Sequence, residues 1–265
     1  MLTIKEYIKA ESLDQAYELN QKKSNRILGG MMWMRLGKGN VNKAIDISGL
    51  GLDQIEETEE EFSIGAMVTL RQLENHPGLE AYTQGAIQES VRHIVGVQFR
   101  NLATVGGSIY GRFGFSDVLT AFLAMDTYVE LYKGGRISLE EFSKRKPDRD
   151  ILVKIIVKKE PLHIVYLSQR NTKTDFPVLT CTVSQRETSW EAVIGARPQR
   201  AVIVRDDENI MGEKFSPENA LKFARFVSEK ISTSSNMRGS AEYRKIVAQV
   251  LVKRACMQIG GTDEN

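Results

Sequence analysis

The chain has 265 residues, 2 cysteines, 6 prolines and 21 glycines, and its 36 Lys and Arg against 34 Asp and Glu leave a formal charge of +2. That length supports one or two domains with a self-sufficient core, and so few cysteines exclude a disulfide scaffold, a four-cysteine zinc site or an iron–sulfur cluster held by this chain alone. A composition 42% hydrophobic and 26% charged is that of a globular protein, and the near-neutral balance speaks against a nucleic-acid binder.

No apolar run reaches the roughly 20 residues of a membrane span, so no membrane association is expected. Met1 to Ala10, with Lys5, Glu6 and Lys9, lacks the pattern of a signal peptide. A cytoplasmic protein with reduced thiols is expected, Cys181 and Cys256 serving as small core residues. Ser12-Leu13-Asp14-Gln15 has capping-box spacing and starts a helix near Leu13. Strands are expected at Arg26-Ile27-Leu28, at 42–47 and at 62–66. Thr69-Leu70-Arg71-Gln72 is a second capping box, opening a short helix before His76-Pro77. A long helix is predicted from about Leu79 to Val95, then a glycine-rich stretch, then a helix from Ser116 or Asp117 to Met125. Thr127 to Tyr132 reads as a strand turning at Gly134-Gly135, and Ser138 caps a further helix.

After the β-branched run Ile151 to Val157 the texture changes. Strands near 164–167, 178–183, 190–194 and 200–204 follow with no long helix between, as in an antiparallel meander. Two helices close the chain. Ser216-Pro217 opens one, with Phe223, Val227 and Ile231 on its inner face. Ser240 opens the other, with Tyr243, Ile246, Val247, Val250 and Leu251 expected inward. Trp33 and Trp190 are expected in the core or at a subdomain interface, and Arg100, Arg112 and Lys144-Arg145-Lys146 on solvated faces.

Two Gly-Gly sites carry the chemical information. Ile27-Leu28-Gly29-Gly30-Met31-Met32 runs a strand into two glycines, a pattern that makes either a plain turn or a nest of backbone N–H groups for phosphate. Arg100-Asn101-Leu102-Ala103-Thr104-Val105-Gly106-Gly107-Ser108-Ile109 lets a ligand approach the backbone, with hydroxyls at Thr104 and Ser108 and a carboxylate at Asp117. Neither matches the dinucleotide fingerprint or the P-loop. His76, His93 and His163 are too scattered for a metal site, and no catalytic triad declares itself. Such a chain leaves its chemistry to a cofactor, and a redox carrier suits it better than hydrolysis.

The order of these motifs, with the terminal Ser116-Asp117 and the C-terminal Arg238-Gly239-Ser240-Ala241-Glu242-Tyr243-Arg244, resembles the FAD-binding medium subunits of molybdenum hydroxylases, the xanthine dehydrogenase and carbon monoxide dehydrogenase group. The resemblance spans nearly the whole chain. It implies an α+β fold: a two-subdomain, vanillyl-alcohol-oxidase-like FAD-binding unit over 1–160 (about 1–55 and 56–160), then a small domain of antiparallel sheet packed with helices over 161–265. It implies FAD as cofactor, a molybdopterin-binding large subunit and a [2Fe-2S] small subunit as partners, and NAD or another electron acceptor.

Carried over by position, the backbone from Ile27 through Leu28, Gly29, Gly30 and Met31 to Met32 would cradle the FAD pyrophosphate. Thr104, Gly107 and Ser108 would line its other side. Tyr110 would approach the flavin, Asp117 would hydrogen-bond the ribose or adenine side, and Leu152 would pack on a ring. The family often has Thr-Asp or Asn-Thr where Met31-Met32 stand, and a lysine where Leu167 and Ser168 stand. Those departures support an alternative expectation, an assembly or scaffold subunit with weak or no flavin binding.

Overall fold

The computed structural model describes residues 1–187 and 189–261. The chain begins with β1 (Leu2–Lys9), α1 (Leu13–Asn20), β2 (Arg26–Leu28), β3 (Gly39–Asp46), β4 (Ile55–Glu57) and β5 (Glu61–Gly65). Six helices follow: α2 (Leu70–Glu74), α3 (Pro77–Tyr82), α4 (Ala86–Arg92), α5 (Val97–Arg100), α6 (Val105–Tyr110) and α7 (Asp117–Phe122). Then come β6 (Thr127–Leu131), β7 (Gly135–Ser138), α8 (Leu139–Lys144), β8 (Leu152–Lys158), β9 (His163–Arg170), β10 (Pro177–Arg186), β11 (Ser189–Gly195) and β12 (Val202–Arg205). The chain closes with α9 (Pro217–Lys230) and α10 (Ala241–Ile259).

Two compact units share these elements. The first takes residues 1–73, 97–111 and 127–158; the second takes 74–96, 112–126 and 159 onward. In the first unit a three-stranded parallel sheet runs β1-β3-β2, and a five-stranded antiparallel sheet runs β4-β5-β8-β6-β7. Among the described residues β1 pairs with β3 alone and is exposed along most of its length, and Glu6 and Tyr7 interrupt the alternation of Leu2, Ile4 and Ile8 that would announce a strand. Gly134-Gly135 turns β6 into β7 as expected, with Gly135 at φ +66°.

The second unit holds a four-stranded antiparallel sheet, β12-β11-β10-β9, backed by α9 and α10. Leu179, Cys181, Ala192 and Ile194 pack there with Phe223, Val227, Val252 and Cys256 in one core. Burying a side chain such as Phe223 contributes about 2 kcal/mol of transfer free energy. Both thiols are buried and unpaired, as expected of small core residues.

Several expectations need correction. The helix expected over Leu79 to Val95 is two helices, because Gln84 (φ +48°) and Gly85 (φ +81°) turn the chain between α3 and α4. The glycine-rich stretch contains a helix, α6, nucleated by the Thr104 cap. On α10 the inner stripe is Arg244, Val247, Ala248, Leu251, Val252, Ala255 and Cys256; Tyr243, Ile246 and Val250 are exposed. The long apolar run hid a stripe centred one residue further along the helix. Trp33 is exposed, its edge against Phe99, whereas Trp190 is buried. Arg100 and Arg112 are buried rather than solvated, while Lys144 and Arg145 lie on the surface, paired with Glu140 and Glu141.

Candidate cofactor site

β2 is short because Gly29 and Gly30 follow Leu28 and carry the chain out of the parallel sheet. A Cβ on Gly30 would overlap the backbone of Leu102, and one on Gly29 would come within 2.9 Å of Thr104 Oγ1. The two glycine motifs therefore lie against each other inside the first unit, and only residues without side chains allow it. Met31 continues the turn at φ +59°, a left-handed conformation rare for a residue with a Cβ. Among the described residues, the N–H groups of Gly30, Met31 and Met32 meet no protein acceptor. Successive uncommitted N–H groups in such a turn form a concave anion site.

The second motif is organised differently. Thr104 caps α6 by accepting the Gly107 N–H at 3.1 Å, and the Gly106 N–H donates to the Ala66 carbonyl at 2.9 Å. These N–H groups serve the protein. What the motif offers a ligand is the Thr104 hydroxyl, buried and with no protein acceptor for its proton among the described residues. Ser108 donates its hydroxyl to the Thr104 carbonyl, one turn back on α6.

A cavity of about 350 Å³ opens between these motifs and the start of β8. Of the expected residues, Ile27, Leu28, Gly29, Thr104, Gly107, Tyr110 and Leu152 line it. Gly30, Met31, Met32 and Ser108 are not part of its lining. Ala66, Met67 and Ile151 add apolar wall, and Asn20, Arg26, Asp148, Arg149 and Asp150 a polar rim that sequence reasoning missed.

Arg149 organises that rim. Its guanidinium donates to the Asn20 carbonyl, to Asn20 Oδ1 at 3.2 Å, to the Lys22 carbonyl at 3.1 Å and to the Asn25 carbonyl at 2.9 Å. Asn20 Nδ2 answers by donating to the Arg149 carbonyl at 2.8 Å. The turn from α1 to β2 is thus clamped to the strand entry, and among the described residues the charge of Arg149 is met by neutral acceptors. Asp150 accepts the N–H groups of Lys133 (3.1 Å) and Gly134 (2.7 Å), which pins the β6–β7 turn. The Tyr110 hydroxyl donates to the Asp148 carbonyl at 2.9 Å, and its ring lies 6.0 Å from that of Phe142. No local sequence signal marks these long-range partners, separated by more than a hundred residues in the case of Asn20 and Arg149.

Asp117 belongs to the second unit. It follows the Ser116 cap at the start of α7 and accepts hydrogen bonds from Tyr166 and Arg170 of β9. Burial lifts its carboxyl pKa to about 6, against the pull of Arg170. Within this unit its oxygen serves the protein. Leu167, where the family's lysine was expected, packs against the core of the sheet.

The first-unit residues suit FAD: uncommitted main-chain donors for the diphosphate, a buried hydroxyl beside them, and apolar walls at Ile27, Leu28, Ile151 and Leu152 for a ring. Residues 2–159 match the model of the FAD binding domain in molybdopterin dehydrogenase. The chain belongs to that family. Residues 167–259 match the CO dehydrogenase flavoprotein C-terminal domain. The nicotine 6-hydroxylase medium subunit of Paenarthrobacter nicotinovorans is 25% identical over 96% of this chain and 96% of its own. The glyceraldehyde dehydrogenase medium chain of Sulfolobus acidocaldarius is 23% identical over 96% and 97%.

Among solved structures, carbon monoxide dehydrogenase from Hydrogenophaga pseudoflava shares the fold with a TM-score of 0.85 at 21% identity, covering 98% of both chains. Quinoline 2-oxidoreductase from Pseudomonas putida 86 gives a TM-score of 0.85 at 18% identity, covering 97% of both chains. The expected α+β architecture is therefore the family's own, and the chain is an FAD-binding medium subunit of the molybdenum hydroxylase family. Among the described residues no helix is long and apolar enough to cross a membrane.

Proposed function

We propose that this chain is the flavin station of a molybdenum-dependent hydroxylase or dehydrogenase. In this reading a molybdopterin-binding large subunit oxidises the substrate, a [2Fe-2S] small subunit relays the electrons, and this subunit passes them from FAD to NAD or another acceptor. The observation that carries the reading is the run of uncommitted N–H groups at Gly30 to Met32, directly after Gly29, which lies against the buried Thr104 hydroxyl. Bound FAD would supply the step between one-electron and two-electron transfer. The chain's own part is to hold an anion with main-chain donors, to donate one hydroxyl from Thr104, and to shape the ring's surroundings with Ile27, Leu28 and Leu152.

The family matches end at 159 and resume at 167, which supports sequence domains of 1–160 and 161–265. Two buried, unpaired thiols agree with a reducing compartment, the cytoplasm. The reading is tested by purifying the chain with and without its co-expressed partners. A yellow protein with a flavin spectrum, whose FAD is reduced by substrate only when both partners are present, is the expected result. Co-purification of the partners by a chain that stays colourless in excess FAD overturns it in favour of a scaffold subunit.

A further inference from the structure

Four exposed apolar residues of the first unit lie together beside the cofactor loop. A short 3-10 turn over Met34–Leu36 follows Gly29 to Met32 and leaves Trp33 41% and Leu36 69% exposed. α5 and the loop after it present Val97 at 44% and Leu102 at 54%. The two segments join where Trp33 sets its ring edge-on to Phe99, with centroids 6.3 Å apart, and where Gly30 meets the main chain of Leu102. The Leu36 N–H donates to the Trp33 carbonyl at 3.1 Å and the Leu102 N–H to the Phe99 carbonyl at 3.1 Å, so both segments are closed turns. A single exposed apolar side chain is ordinary, whereas a cluster that includes a tryptophan marks a contact surface.

The charges on this face have one sign. Residues 31–40 and 97–104 contain no Asp or Glu, and Arg35 and Lys38 stand exposed with no ion pair among the described residues. A second copy of this chain would bring the same cations together, so the face is unsuited to self-association. An apolar centre with a basic rim fits a partner with an apolar centre and an acidic rim.

The place of the face in the fold narrows that partner. Trp33 follows directly on the N–H run of Gly30 to Met32, and Leu102 stands two residues before Thr104. A chain seated here lies over the two turns that suit the cofactor. A subunit that delivers electrons has to lie close to that cofactor, and a subunit that only binds substrate does not. A cluster held by cysteine thiolates is anionic, which agrees with the sign of the rim.

We propose that the face formed by Trp33, Leu36, Val97 and Leu102 is the docking surface for the [2Fe-2S] small subunit, with Arg35 and Lys38 meeting carboxylates at its edge. The proposal rests on the flavin-station reading and goes beyond it by assigning the contact.

Photo-crosslinking in the co-expressed, FAD-containing complex tests it, with a benzophenone amino acid in place of Leu36, whose side chain is exposed and outside the cavity lining. The crosslinked product is expected to contain the small subunit. Leu36→Glu combined with Val97→Glu is expected to weaken capture of the small subunit by about tenfold or more while FAD content stays unchanged. Raised salt is expected to weaken capture by the parent chain. A crosslink to the large subunit or to a second copy, no crosslink in a complex that contains the small subunit, or undiminished capture by the FAD-loaded double variant overturns the inference and leaves the flavin-station reading standing. A parent chain that assembles with no small subunit overturns both.

Discussion

Gly30 and Leu102 meet main chain to main chain, at a distance that leaves no room for a Cβ between them. This approach joins the loop after β2 to the loop before α6, and so sets the Thr104 hydroxyl against Gly29, the residue before the uncommitted N–H run. Gly30→Ala is expected to force the two loops apart, costing about 2–4 kcal/mol of stability. Urea unfolding should show the loss, and the purified variant should retain little or no FAD. Unchanged flavin content would show that the contact does not organise the site.

Met31 offers the opposite outcome. Its φ of +59° strains any residue with a Cβ, and glycine relieves it. Met31→Gly is expected to gain up to about 1 kcal/mol despite the entropy that glycine loses, and to keep FAD affinity within about threefold of the parent chain. Fluorescence titration of FAD checks the second point. A large loss of affinity would mean that the Met31 side chain itself contacts the cofactor.

Thr104 has two tasks that substitutions can separate. Thr104→Val removes the cap of α6 and the free hydroxyl, costing about 1 kcal/mol of stability and about tenfold in FAD affinity. Thr104→Ser is expected to restore both, because the hydroxyl returns. Equal FAD affinity in the two variants would confine Thr104 to its helix.

Asp117 supplies a pH dependence with a definite sign. Burial raises its carboxyl from the ordinary 3.8 to about 6 in the folded chain. Between about pH 4 and pH 6 the folded state therefore holds a proton that the unfolded state releases. The stability from this group is complete below about pH 4 and falls as pH rises to about 6. Arg170→Met removes the facing cation, so the folded midpoint moves higher still and the decline extends toward neutral pH. The variant should lie close to the parent at acid pH and about 1 kcal/mol below it at neutral pH, since each further pH unit of decline is worth about 1.4 kcal/mol. Urea midpoints across that range measure the difference, and a constant offset at every pH would refute the assignment.

The thiols give a simple control. Cys181 and Cys256 are fully buried, and burial pushes both thiols well above the ordinary range. Ellman's reagent should find no reactive thiol in the native chain and both in denaturant.

Much of this molecule could be read before its fold was known, for reasons specific to each feature. Ser12, Thr69, Ser138, Ser216 and Ser240 all cap helices through the side chain, as their spacing implied, because capping is a contact over three residues. β1 escaped because its partner is some 37 residues away and the alternation of Leu2, Ile4 and Ile8 is interrupted by Glu6. The helix inside the glycine motif escaped because one threonine cap outweighs the poor helix propensity of two glycines. At the site, Ile27, Leu28, Gly29 and Gly107 were foreseeable from the motifs and Leu152 from the family resemblance, whereas Ala66, Met67 and Ile151 were not. Arg149 and Arg170 were not, since each acquires its role only through partners brought near by folding.

The donors at Gly30 to Met32 belong to the main chain, so the identity of the side chains at 31 and 32 is largely decoupled from them. A lineage can exchange polar residues for methionine there and still present the same three N–H groups. Tolerance in this loop should therefore be steeply uneven: intolerant at Gly30, permissive at half-buried Met31, and limited at Met32 by the burial of its side chain. An inventory of polar side chains would undercount such a site, because its chemistry survives changes that erase its lettering.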